Sequence, residues 1–306
     1  MIWKDYKSQI QEINHPLLIE KNIKFSILRE DLIHPKISGN KYRKLKYNII
    51  EAQNKGFKKL ITFGGAFSNH IAATAAAAQL NDLEVIGFIR GEEIENLIDD
   101  NVTLSFAKSQ GMQFKFISRE DYRKKDSEEF LSQLKSEYPD YYIIPEGGTN
   151  NLAIKGCEEI LNEDTHQYNF ICSAIGTAGT ITGLINSLNN NQTVLGFPAL
   201  KNIDFDQEIC KLTPITNKHN IIDAYHFGGY GKINDDLITF INEFKLMTKI
   251  PLDPIYTGKM LYGIFDLISK NYFKSESKIL AIHTGGLQGI DGINKILKKK
   301  NKKMII

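Results

Sequence analysis

The sequence predicts an α/β protein built on open, twisted, mostly parallel sheets. Short apolar runs alternate with amphipathic or alanine-rich stretches almost from end to end, and several runs stop at glycine pairs. That alternation is the pattern of parallel βα units, whose doubly covered strands read as continuous apolar stretches. With 306 residues, 42% of them hydrophobic, the chain can bury a sizeable core in one large or two modest domains.

In chain order, residues 25–30 read as a strand and residues 60–63 as a second, ending at Gly64-Gly65. The alanine-rich stretch 71–80 is helical, 85–89 is a strand, and 98–110 is a helix closed by Gly111. Residues 114–117 continue the alternation, followed by a charged helix over 127–137 and a strand at 141–144. The second half repeats the style. Residues 170–175 enter a glycine-rich turn and a helix starting near Gly179, and 193–197 and 279–282 are strands. The last strand leads through Thr284-Gly-Gly286 into a final helix, while 217–231 shows no periodicity. No internal repeat is visible.

Composition narrows the functions. A formal charge of +2 lacks the basic excess of a nucleic-acid binder, and the lysine run from Lys298 to Lys303 reads as a solvated tail. Cys157, Cys172 and Cys210 lie far apart and form no CxxC pair, so reduced thiols in a cytoplasmic protein are expected. The opening MIWKDYKSQI has no apolar core, so no signal peptide is expected, and no run is long enough to cross a membrane. No histidine, cysteine or carboxylate cluster has metal-ligand spacing, so no metal is expected.

Four motifs carry chemistry, each with a plainer reading beside it. Ser38-Gly-Asn-Lys-Tyr-Arg-Lys-Leu45 is either a basic surface helix or a reactive lysine, Lys41, with Lys44 one turn on and able to reach a phosphate. Gly64-Gly-Ala-Phe-Ser-Asn-His70 joins a strand to a helix. Ser68 and Asn69 would cap that helix or seat a substrate carboxylate there. Gly176-Thr-Ala-Gly-Thr-Ile-Thr-Gly183 follows a strand and is a tight turn or a phosphate cradle; it is not a G-x-G-x-x-G dinucleotide turn. Tyr230 in Gly228-Gly-Tyr-Gly231 and Tyr256 in Tyr256-Thr-Gly-Lys259 are packing aromatics or phenols that meet a substrate.

The order of these motifs resembles the family of 1-aminocyclopropane-1-carboxylate deaminase and D-cysteine desulfhydrase, from about Arg29 to Gly289. The resemblance implies the tryptophan synthase β-like fold (PLP fold type II), with pyridoxal 5'-phosphate as cofactor. Two domains are expected: a larger cofactor domain formed by residues 1–45 and 161–306, and a smaller α/β domain over 46–160. Lys41 would carry the cofactor as a Schiff base, and Asn69 would donate to its phenolic oxygen. Lys44 and the turn Gly176, Thr177, Ala178, Gly179 and Thr180 would hold its phosphate, with Thr257 and Thr284 at the ring edge. Ser68, Asn69 and His70 would seat the substrate carboxylate, and Tyr230 and Tyr256 would face the substrate. Lys41, Ser68, Tyr256 and Tyr230 are thus the expected catalytic set.

The deaminases of this family have glutamate in place of Thr257 and leucine in place of Thr284, and tend to have glutamine in place of His70. The resemblance therefore favours elimination from D-cysteine, giving pyruvate, ammonia and sulfide, by a cytoplasmic homodimer. A carboxylate that keeps the pyridine nitrogen protonated strengthens the electron sink, which cyclopropane opening needs more than thiolate loss does. The deaminase itself, a non-catalytic cofactor-binding protein and a nucleotide-binding Rossmann protein are the competing readings. The expected partner is a small amino acid, with neither nucleic acid nor membrane.

Overall fold

A computed structural model describes Trp3 and residues 6–306. Part of the opening stretch, used above for the leader and for the larger domain, therefore lies outside the described residues. Among the described residues ten strands form two sheets. They are β1 (Ile10–Glu12), β2 (Lys24–Leu28), β3 (Lys59–Gly64), β4 (Glu84–Arg90), β5 (Gln113–Ile117), β6 (Tyr141–Ile144), β7 (Phe170–Ile175), β8 (Thr193–Pro198), β9 (His219–Ile221) and β10 (Lys278–Ile282). The four-stranded sheet, ordered β5-β4-β3-β6, is wholly parallel. The six-stranded sheet, ordered β1-β2-β10-β7-β8-β9, is parallel except for β1, which runs antiparallel to β2.

Side-chain alternation gives each sheet two buried faces. In β10, Ile279 and Ala281 join one core with Phe25, Leu195 and Phe197, while Leu280 and Ile282 join another with Ile171 and Val194. In the smaller sheet Leu60 and Val85 pack on one side, and Ile61, Phe63 and Phe88 on the other. Each large apolar side chain so buried contributes about 1.5–3 kcal/mol. The helix Asn69–Leu80 is buried nearly all round, and its alanines let it lie close against the smaller sheet.

The mostly parallel α/β fold class follows the sequence. Local differences have local causes. The helix expected over 98–110 is confined to Val102–Ser109, because the Asn101 side chain accepts from Leu104 N at 3.0 Å and caps it there. The aperiodic 217–231 stretch contributes the edge strand β9. The long helices Asp235–Thr248 and Thr257–Ser269 cover the larger sheet without having been singled out in the sequence. The lysine-rich segment is a docked end with a basic face. Ile305 is buried, its N–H donates to Asn294 Oδ1 at 2.9 Å, and Ile306 N–H donates to Asn242 Oδ1 at 3.0 Å. No helix among the described residues is long and apolar enough to cross a membrane.

Candidate active site

The helix Asn40–Asn54 starts on Gly39, whose φ of +64° and close packing both demand glycine. A Cβ at Gly39 would lie 1.9 Å from the carbonyl oxygen of Thr284. Asn40 N–H donates to that same oxygen at 3.3 Å. The turn after β10 thus fixes the height at which the Lys41 helix begins. Lys41 Nζ donates to Asn40 Oδ1 at 3.1 Å, and Asn40 Nδ2 donates to Thr180 Oγ1 at 2.8 Å. Burial lowers the Lys41 amine to about 8, opposed less strongly by Cys157 and Asp253. A lysine so lowered holds a useful share of neutral, nucleophilic amine near neutral pH.

Lys44 lies one turn further, fully buried. Its Nζ donates to Thr149 Oγ1 at 2.8 Å and to Thr177 Oγ1 at 3.1 Å. No carboxylate forms a salt bridge with it among the described residues, and burial, helped by the nearby Lys41 charge, lowers it to about 7. Thr177 stands exposed at the tip of the turn after β7, with Ala178, Gly179 and Thr180 buried behind it. The following helix, Gly179–Asn186, has no side-chain cap. A buried ammonium without a counter-anion, next to an uncapped helix start, fits an oxyanion such as the phosphate of pyridoxal phosphate. Gly176 lets Tyr256 lie against this turn, since a Cβ there would be 2.8 Å from Tyr256 Cε1.

Ser68 caps the helix Asn69–Leu80, its Oγ accepting from His70 N at 3.2 Å and Ile71 N at 3.4 Å. The hydroxyl proton stays available to a ligand. Asn69 Oδ1 accepts from Gln288 Nε2 at 2.8 Å, which ties this helix start to the turn after β10. The His70 ring points elsewhere. It is buried, with Nε2 2.7 Å from Thr62 Oγ1, and Thr62 in turn donates to Ile144 O at 3.0 Å. Since Thr62 has one proton to give, His70 donates through Nε2. Burial, with Lys41 and Lys44 close by, holds its imidazole well below the usual range and neutral. His70 thus lines the interior behind the lysines.

Tyr256 and Tyr230 meet edge to face with centroids 6.2 Å apart. Burial, with Tyr230, Asp253 and Glu146 close by, holds the Tyr256 phenol protonated, well above its ordinary range. Lys259 Nζ donates to His226 O at 2.9 Å and Gly229 O at 2.8 Å, pinning the loop just ahead of Tyr230. The Thr257 hydroxyl donates to Asp253 Oδ1 at 2.6 Å and accepts from Asp253 N at 3.1 Å, so it is committed to the helix start. The Thr284 hydroxyl has no hydrogen-bond partner among the described residues.

Sequence reasoning passed over Asp253, Thr149 and Gln288. Asp253 Oδ1 also accepts from Thr257 N, and Oδ2 accepts from Ile255 N and Tyr256 N, so four donors occupy the buried carboxylate. The Asp253-Pro254 pair just before a helix was the readable signal for it.

The family model described as "Pyridoxal-phosphate dependent enzyme" matches residues 15–285. A Pyrococcus abyssi protein provisionally named 1-aminocyclopropane-1-carboxylate deaminase is 31% identical, over 94% of this chain and 91% of its own. The Arabidopsis thaliana protein named bifunctional D-cysteine desulfhydrase/1-aminocyclopropane-1-carboxylate deaminase, mitochondrial, is 31% identical over 86% of this chain and 72% of its own. The crystal structure of an ACC deaminase homologue matches with a TM-score of 0.82 at 29% identity, covering 96% of this chain and 94% of that one. A hydrogen sulfide-producing enzyme from Fusobacterium nucleatum shares the fold, with a TM-score of 0.67 at 15% identity over 91% of this chain and 93% of its own.

Proposed function

Because the chain belongs to the pyridoxal-phosphate dependent enzymes, in the family of 1-aminocyclopropane-1-carboxylate deaminase and D-cysteine desulfhydrase, we propose that it eliminates the β-substituent of a small amino acid, D-cysteine first. The products would be pyruvate, ammonia and, from cysteine, sulfide. The observation that carries this reading is the pair of buried amines, Lys41 lowered to about 8 and Lys44 to about 7, beside an uncapped helix start.

Pyridoxal phosphate supplies an electrophilic carbon for an amine and a conjugated ring that draws electron density from the substrate's Cα. Around it, Lys44, Thr177 and the N–H groups of the turn at 176–180 would hold the phosphate. Lys41 Nζ would be the amine that bonds the cofactor and the base that takes or relays the α-proton. Ser68 and Asn69 orient the substrate carboxylate at their helix start. Tyr256 and Tyr230 would face the substrate, and the Tyr256 phenol, held protonated, would donate a hydrogen bond to it.

We read residues 46–160 as a smaller domain inserted in one formed by 1–45 and 161–306. In support, the four-stranded sheet uses only segments between 59 and 144, and the six-stranded sheet only segments before 29 and after 169. A cleft between two such units could close and exclude water. A cytoplasmic homodimer is what the resemblance suggests, and light scattering would check the dimer.

The deaminase activity is the second reading, favoured by the names of the relatives. Against it, residue 257 is a threonine whose hydroxyl is bound to Asp253, and all four Asp253 contacts are to the helix start. The test is sulfide and pyruvate release from D- and L-cysteine, with 2-oxobutyrate release from 1-aminocyclopropane-1-carboxylate in parallel. Sulfide from neither cysteine removes the desulfhydrase reading, and 2-oxobutyrate alone installs the deaminase.

A further inference from the structure

In open parallel sheets ligands bind beyond the C-terminal strand ends. In the four-stranded sheet three adjacent strands bring chemistry there. Gly64-Gly65 ends β3, Arg90 ends β4, and Glu146 lies just after β6. The Arg90 guanidinium reaches over to the β3 turn, where a Cβ at Gly65 would lie 3.5 Å from its Nη2. Ser68 N–H donates to Gly65 O at 3.0 Å, so this is the same turn that leads into the proposed carboxylate seat. The guanidinium also lies 5.7 Å from the centre of the Tyr122 ring. Burial raises the Tyr230 phenol above its ordinary range, with Arg90 opposing and Glu146 adding only weakly.

The neighbouring charged groups already have hydrogen-bonding partners. Glu146 accepts from the Tyr122 hydroxyl at 2.7 Å and pairs with Lys125 at 3.1 Å. Lys41 is bound to Asn40, and Lys44 to Thr149 and Thr177. Arg90 is exposed, and its guanidinium has neither a hydrogen bond nor an ion pair among the described residues. A solvated arginine stacked on Tyr122 would explain the ring contact. Sheet register, which pairs Gly64 with Ile89, also sets the guanidinium beside Gly65, at the turn that leads into Ser68.

We propose that Arg90 reads an anionic group on the substrate's side chain, so that the enzyme takes cysteine as its thiolate and prefers anionic to neutral β-substituents. This rests on the elimination reading above and refines its substrate class. The planar fork of a guanidinium suits a carboxylate, sulfonate or phosphate oxygen pair.

The test compares O-phosphoserine with O-acetylserine, both enantiomers, in the cofactor-loaded wild type, Arg90→Gln and Arg90→Lys. The ratio of kcat/KM, anionic over neutral, should exceed one in the wild type, fall by about tenfold or more in Arg90→Gln, and recover partly in Arg90→Lys. Calorimetric binding of aspartate against alanine reads the same preference without turnover. If no compound turns over, the elimination reading fails while the aspartate/alanine ratio still decides on Arg90. Neutral compounds turned over with no anionic preference, or a preference unchanged in Arg90→Gln, overturns the proposal and leaves elimination standing.

Discussion

Lys44 Nζ donates to Thr177 Oγ1 across 3.1 Å, joining the helix that carries Lys41 to the turn after β7. Two hydroxyls hold this buried ammonium where a carboxylate would be the ordinary partner. The site is therefore built short of one anion. Lys44→Met should weaken pyridoxal phosphate binding by about tenfold or more, the cost of one charge-assisted hydrogen bond, read by absorbance titration. Unchanged affinity would separate Lys44 from the phosphate.

The same shortage sets a pH dependence. Lys41 and Lys44 titrate in the folded protein at about 8 and about 7, below an unfolded lysine at about 10.4. Between these limits the unfolded chain binds more protons, so the stability of the cofactor-free protein rises with pH through that window. A phosphate dianion beside Lys44 raises its folded pKa and removes part of the deficit. The gain in Tm on adding cofactor should accordingly be largest near pH 7 and shrink toward pH 10, by calorimetry. A gain that grows with pH would reverse the assignment.

Lys259 ties two carbonyls of a loop whose residues Phe227, Gly228, Gly229 and Gly231 all have positive φ. Burial lowers its amine to about 8. Lys259→Met should free the loop, raise KM by severalfold and speed proteolytic cleavage near Tyr230. Equal cleavage rates would mean that the loop holds itself.

Beneath the Lys41 helix, Arg43 and Glu30 form a buried bidentate pair at 3.0 and 2.9 Å. Removing one partner strands the other charge, so Glu30→Ala should cost about 3–5 kcal/mol of stability in urea unfolding. A loss under about 1 kcal/mol, as for an exposed pair, would show that water reaches Arg43.

Most strands were legible because doubly buried strands are written as apolar runs, as in residues 170–175 and 279–282. The placement of Lys41, Lys44, Ser68 and the turn at 176–180 at helix starts was legible because glycines mark where backbone must come close. Direction was not legible. Ser68, Asn69 and His70 are consecutive, yet one helical step turns the His70 ring away to Thr62. Asp253 looks unrelated to the turn after β10, yet a Cβ at Gly286 would lie 3.4 Å from its carboxyl carbon. Arg90 sits in no motif, and only strand order brings it beside Gly65.

If Lys41 bonds the cofactor, borohydride reduction of the loaded protein followed by peptide mass spectrometry should find a single pyridoxyl group, on Lys41. A stoichiometric label on Lys44, Lys259 or any other lysine, with Lys41 unmodified, would place the bond elsewhere.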